Sequence, residues 1–344
     1  MKRARRHRGM LLALAALLVG CNFNLDEPTL VQTPRILAIV ADHPEAAPGQ
    51  DVRLRVLAYD PMHRELHYAF RACLDASTFL GSGGSNGTGG MSATEGFCTP
   101  WTDPTTSDTG LLPGAFTQQL LTLVERPPPG VELDPRLLLN ILATAGLPIR
   151  AEVHLSVTNP EGTEAVLVSA TKLVGITTRP RPTTNPPYVY FTIDGTPYFG
   201  AIDPAGSTEC VPWFSAPASF VASPAEGALT PVILSPADDP DTWEESFPIY
   251  DFSGAVRTGF EGAYYSWYST AFFTDAHGRH SVLHTETTQG PAHGAPPSAV
   301  DATLRDNTWD VPREPGTYDL WLVVRDGHLG TAACHTTIEV TARP

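Results

Sequence analysis

Three histidines, His277, His280 and His284, stand at H-x2-H-x3-H spacing in the carboxyl-terminal half. On one helical face that spacing gathers a metal ion. Here Gly278-Arg279 marks a turn, so the three sit in a strand–turn–strand stretch. His280 and His284 then share a face about 13 Å apart at the strand rise, too far for one ion. They read as solvated or packing side chains. The densest acidic cluster is Asp238, Asp239, Asp241, Glu244 and Glu245. Carboxylate oxygens suit calcium, which makes Asp238, Asp239 and Asp241 the calcium candidates. The segment lacks the glycine and ligand order of an EF-hand, and Pro236 and Pro240 already make it a loop. A solvated acidic loop is therefore the reading preferred over calcium, and no metal or other cofactor is assigned. Gly83-Gly84-Ser85-Asn86-Gly87 matches G-x-S-x-G, the elbow that exposes a nucleophilic serine between a strand and a helix. Both flanks here are more glycine and serine, so it is a loop. No catalytic residue is assigned.

Aromatic side chains offer a different chemistry. Tyr264, Tyr265, Trp267, Tyr268, Phe272 and Phe273 crowd one strand region. Exposed rings stack on sugars or anchor a protein partner. Alternation puts Tyr265 and Trp267 on one face and Tyr264 and Tyr268 on the other. One face at least is core. Tyr265 and Trp267 are the binding candidates, and the loops of residues 211–252 offer a second surface. Trp321, between Leu320 and Leu322, reads as core or edge cover.

Composition narrows the classes. The 344 residues suggest about two domains. Formal charge is −15, and removing residues 1–20, which hold five bases and no acid, leaves −20. A surface that negative disfavours nucleic acid and anionic phosphate ligands. Only Lys2 and Lys172 are lysines, so a P-loop is absent. Apolar residues make up 42% of the chain, enough for packed cores.

The amino terminus carries an address. A basic segment leads into an apolar run from Met10 to Val19. Ten apolar residues are too few to cross a hydrocarbon core that needs about 20, so residues 1–20 read as a secretion signal. Leu18-Val19-Gly20-Cys21 resembles the lipobox of bacterial lipoproteins in every position. The resemblance implies a diacylglycerol on the Cys21 sulfur, cleavage just before it, and acylation of the new amino terminus. Several acyl chains make such an anchor permanent. Asn22, where related lipoproteins kept at the inner membrane carry Asp, favours the outer membrane of a Gram-negative bacterium. Lipidation of Cys21 leaves Cys73, Cys98, Cys210 and Cys334, an even number in an oxidising compartment, which predicts two disulfides. Of three pairings, Cys73–Cys98 and Cys210–Cys334 keep each bridge inside one domain. No C-x2–4-C pair exists, so a metal tetrad is excluded.

Residues 21–34 read as a tether. Period-2 alternation follows at Val52–Tyr59 and Leu66–Ala72, with further strands at Ile36–Val40, Gln118–Glu125, Ala151–Thr158 and Ala165–Ile176. A Gly/Ser-rich loop covers residues 81–90. One helix is predicted, with Asp134 as cap, Pro135 at its first position and Gly146 ending it. Residues 179–187, with four prolines, read as a stiff linker. Beyond it strands are expected at Tyr188–Ile193, Pro231–Leu234, Ala263–Thr274, His280–Thr287, Tyr318–Arg325 and Cys334–Val340. The pattern predicts an all-β chain of two tandem sandwiches, 35–178 with a helical insertion and 188–344.

Two segments carry a likeness. Ala47-Pro48-Gly49-Gln50 leads into Val52-x-Leu54-x-Val56, and Pro315-Gly316-Thr317-Tyr318 opens the run to Asp326-Gly327. Both resemble bacterial immunoglobulin-like and PKD-like surface domains. The likeness implies a tyrosine corner at Tyr318 and, with the lipobox, a cell-envelope lipoprotein that displays such domains. The expected role is structural or adhesive, without catalysis, with the membrane as one partner. A carbohydrate- or protein-binding module using exposed aromatics is the alternative. A hydrolase whose polar groups converge only in space is the third.

Overall fold

Strands with one buried face build most of the molecule. A computed structural model describes residues 31–74, 98–125, 135–144, 146–158, 161–201, 209–213, 216–237, 245–250, 256–271 and 307–344. The first half holds β1 (Arg35–Ala41), β2 (Glu45–Ala46), β3 (Val52–Tyr59), β4 (His67–Leu74), β5 (Thr109–Leu112), α1 (Gly114–Glu125), α2 (Pro135–Thr144), β6 (Leu147–Thr158) and β7 (Glu164–Ile176). The second holds β8 (Tyr188–Ile193), β9 (Thr196–Ala201), β10 (Val211–Pro212), β11 (Ser219–Val221), β12 (Thr230–Pro236), β13 (Ser246–Tyr250), β14 (Val256–Phe260), β15 (Tyr264–Ser269), β16 (Asn307–Val311), β17 (Gly316–Arg325) and β18 (Thr331–Thr341). The chain is all-β, with two short helices among the described residues.

In the first half a β1-β3-β5 sheet faces a β2-β7-β6-β4 sheet. Val52, Leu54 and Val56 point into the shared core while Arg53 stays exposed, the alternation that fixes register in a half-buried strand. Phe70, Ile149, Val153 and Leu155 fill the core from the other side. Leu142 of α2 covers it, and Gly146, at φ +80°, ends the helix while its amide donates to the Ile141 carbonyl. The second half repeats the plan with sheets β10-β9-β8-β12-β16 and β11-β18-β17-β15 around Phe191, Trp267, Trp309 and Leu322. A separate two-stranded β13-β14 ribbon lies outside both.

One expected strand is a helix. Gln118–Glu125 belongs to α1, which begins at Gly114. Its start is set from elsewhere in the chain: the Gly114 amide donates to Asp51 Oδ1 at 2.7 Å, and the Thr117 hydroxyl donates to the Gly114 carbonyl while accepting from Gly49 N. The 81–90 loop and the expected strand at His280–Thr287 lie outside the described residues.

Two disulfides are present. Cys73–Cys98 ties β4 to the returning chain, and Cys210–Cys334, 124 residues apart, ties the segment entering β10 to β18 of the opposite sheet. Gly200 is required beside the second bridge, where a Cβ would lie 2.8 Å from Cys210 Sγ. The Tyr318 hydroxyl donates to the Glu314 carbonyl at 2.9 Å, four residues upstream, fastening the start of β17. Tyr318→Phe should lower unfolding free energy by about 1 kcal/mol in chemical denaturation, the worth of one such bond.

The two sandwiches join sheet to sheet. Outward-facing Leu37 and Ala38 of β1 and Leu57 of β3 meet Trp321 and Val323 of β17, Tyr268 of β15 and Ala333 of β18. β17 is therefore buried on both faces, with Leu320, Leu322 and Val324 in the second core and Trp321 and Val323 in this seam.

Candidate functional site

An aromatic face lies on the outer side of the five-stranded sheet. β8 alternates, with Val189, Phe191 and Ile193 buried and Tyr188, Tyr190 and Thr192 half-buried on the other side, Tyr188 also packing against the second core. Phe199 of β9 pairs with Tyr190 on one side and Val211 of β10 on the other, so these residues share that outward face. Trp213 follows two residues later, held by its amide to the Pro197 carbonyl at 2.8 Å. Its ring centroid is 5.3 Å from Phe199 and 5.8 Å from Tyr190, and Tyr188 lies 5.8 Å from Phe199. Trp213 is 43% exposed. The residues Tyr188, Tyr190, Thr192, Pro197, Phe199, Val211 and Trp213 carry no charge, and exposed Glu209 stands two residues before Val211 at the end of this row.

The aromatic pair expected to bind is elsewhere. Tyr265 and Trp267 are fully buried in the second core, with Trp267 packed edge-on against Phe191 at 5.3 Å. Their strand pairs with β17 in the four-stranded sheet, whose inner face is the core and whose outer face is the seam, so neither face of β15 offers a free platform. The binding assignment to Tyr265 and Trp267 is corrected accordingly. Trp321, 3% exposed, belongs to the seam. Cys21, the histidines 277, 280 and 284, and Asp238, Asp239 and Asp241 lie outside the described residues. The sequence signal for this outer aromatic face is Tyr188-Val189-Tyr190-Phe191, where successive side chains alternate between the two sides of the strand.

A second concentration of chemistry sits in the seam. Glu45, Glu261 and Asp326 are buried. Glu45 Oε2 accepts from Arg179 Nη2 and, at 2.7 Å, from Thr183 N. Glu261 Oε2 accepts from Glu245 N at 3.0 Å. Asp326 Oδ1 accepts from His328 N and Gly330 N at 2.8 and 2.9 Å. The second oxygen of each of the three carboxyls has no partner among the described residues. Burial, with Asp326 close by, pushes Glu261 up to about 9, and burial raises Asp326 to about 6. Burial likewise lowers Lys172 to about 8 and His328 to about 4. A cleft of about 410 Å³ opens beside them, lined by Lys172, Tyr264, Arg325 and the 326–331 loop.

Lys172 joins the two sandwiches, while Arg325 and His328 are engaged within the second. Lys172 Nζ donates to the Leu329 carbonyl and to Thr331 Oγ1 at 2.8 Å, Arg325 Nη1 donates to Ser266 Oγ at 2.9 Å, and the His328 ring stacks on Phe247 at 3.8 Å. The segment expected as a linker is part of the seam: Thr183 is buried, and Asn185 donates to the Ala41 carbonyl and accepts from Thr331 N.

No protein-family model matches the chain, and no curated protein does. Among solved structures, dimeric latent PorU from Porphyromonas gingivalis is similar at 10% identity and a TM-score of 0.18, over 90% of this chain and 34% of that one. The chain thus spans about a third of that structure's length.

Proposed function

We propose that the protein is a lipid-anchored envelope protein, held to the outer membrane through Cys21, that displays two joined sandwiches and binds neutral carbohydrate without catalysing a reaction. The observation that carries this reading is the uncharged aromatic face of Trp213, Phe199, Tyr190 and Tyr188. Ring faces stack on the apolar faces of pyranose sugars. The absence of any charge within that row, Glu209 standing only at its end, on a body of strongly negative charge, favours a neutral ligand over an anionic polymer. Commitment of Lys172 to a contact across the seam, and of Arg325 and Asp326 to partners within the second sandwich, supports display over catalysis.

The test uses the purified full chain on an array of neutral and anionic glycans. Binding to a neutral glycan that weakens at least tenfold in Trp213→Ala, with quenching of tryptophan fluorescence, is expected; about 2 kcal/mol for truncating an aromatic anchor sets that scale. Binding that Trp213→Ala leaves unchanged, or no glycan binding at all, overturns the carbohydrate reading. Mass spectrometry of the amino-terminal peptide tests the anchor separately, the expected product being Cys21 carrying acyl chains.

A further inference from the structure

We propose that the seam between the two sandwiches is a proton-operated latch, in which a proton held by the buried carboxyls of Glu261 and Asp326 keeps the sandwiches closed on one another and its release loosens them. The proposal stands apart from the carbohydrate reading, since it rests on different residues.

The geometry is a crowd of acids with too few donors. Gly262 N donates to the Asp326 carbonyl at 2.7 Å, which sets Glu261 beside Asp326. Glu45 approaches from β2 of the first sandwich, and Glu245 from the residue before β13, where it accepts from Thr184 N and Oγ1 at 3.2 and 3.1 Å. The cations facing this group are Arg179, committed to Glu45, Lys172 from β7, and Arg325 from β17; His328 sits above Asp326 as a neutral ring. Glu45 Oε1, Glu261 Oε1 and Asp326 Oδ2 are each buried with no hydrogen-bond partner among the described residues. An ionised carboxylate is acceptor-only, so three orphan oxygens cannot satisfy one another. Protonating one turns it into an O–H donor that a neighbouring orphan can accept. Among the described residues no three Asp, Glu, His or Cys side chains are placed to hold a metal ion. A proton needs only two oxygens.

Glu261 is the trigger. Its ionisation sets a charge against Glu45 across the seam, whereas an ionised Asp326 still meets Lys172. A carboxyl raised in the folded state binds more protons folded than unfolded between its two values. Stability is therefore full below the ordinary carboxyl range and is lost as pH rises from there toward about 9 for Glu261.

The test compares the purified full chain with Glu261→Gln and Asp326→Asn, whose amides copy the shape and donor of a protonated acid. Melting temperature is followed from pH 5 to pH 9 in EDTA, with hydrogen exchange read at residues 36–40 and 320–324. The wild type is expected to lose about 5 °C or more across that range, with exchange in both seam strands accelerating. Glu261→Gln should flatten both profiles and melt above the wild type at pH 8.5. Asp326→Asn, if it folds, should reduce the slope further. A Glu261→Gln profile parallel to the wild type overturns the latch. So does restoration of the wild-type melting temperature at pH 8.5 by millimolar calcium, which would assign the orphan oxygens to a cation.

Discussion

Arg179→Ala should lower the unfolding free energy by about 3–5 kcal/mol, the cost of leaving one member of a buried ion pair without the other. The Glu45 side chain is fully buried and the Arg179 side chain only 10% exposed, so solvent cannot replace the lost guanidinium. Glu45 Oε2 would keep only the Thr183 amide, and Oε1 already lacks a partner. Guanidinium chloride unfolding of the full chain measures the loss. Adding Glu45→Gln to Arg179→Ala should recover a substantial part of it, because an amide carries no charge to strand. Equal loss in the single and double variants would show that Arg179 acts through packing alone.

Trp321→Ala should cost a comparable amount, about 3–5 kcal/mol, and should act on the junction. The indole meets Tyr59 of β3 at 4.8 Å in an edge arrangement and stacks on His335 at 5.2 Å, with Val31, Leu37 and Leu57 around it. Those neighbours belong to both sandwiches, so the cavity opens where the two meet. Limited proteolysis is the discriminating measurement: cleavage within residues 179–187 should appear in Trp321→Ala while wild type resists, because that segment is held by Glu45 and Asn185 contacts spanning the seam. Trp267→Ala, whose cavity lies inside the second core, should destabilise without exposing that segment preferentially. Identical proteolysis of the two variants would remove Trp321 from the junction.

Most strands were readable because their physics is local. Val52-Arg53-Leu54-Arg55-Val56 alternates over a single core and shows it, and Gly146 marks the end of α2 by a backbone conformation that side chains rarely adopt. The unbroken run Leu320–Val324 also carried its message, since a strand apolar at every position is covered on both faces. Read as a sandwich strand alone, it leaves Trp321 without a destination. α1 escaped because its cap, Asp51, lies 63 residues upstream and no local pattern announces it. The seam charges were illegible for the same reason, Glu45 and Arg179 being 134 residues apart. The densest run of rings, around Tyr265 and Trp267, belongs to the second core. The outer aromatic face draws four rings from β8, β9 and the residue after β10, from Tyr188 to Trp213, and no single dense run announces it.

The way the chain enters its first strand has a mechanical consequence. Val31, 2% exposed, donates its amide to the Ser269 carbonyl at 2.9 Å and packs against Trp321, so the chain is fastened to the distal body before β1 begins. A pull delivered through the residues before Val31 therefore reaches β15 and β17 directly, in parallel with the proximal body. Load is shared between two units whose order along the chain would suggest a series, and the Pro-rich stretch between them is spared the tension a hinge would bear.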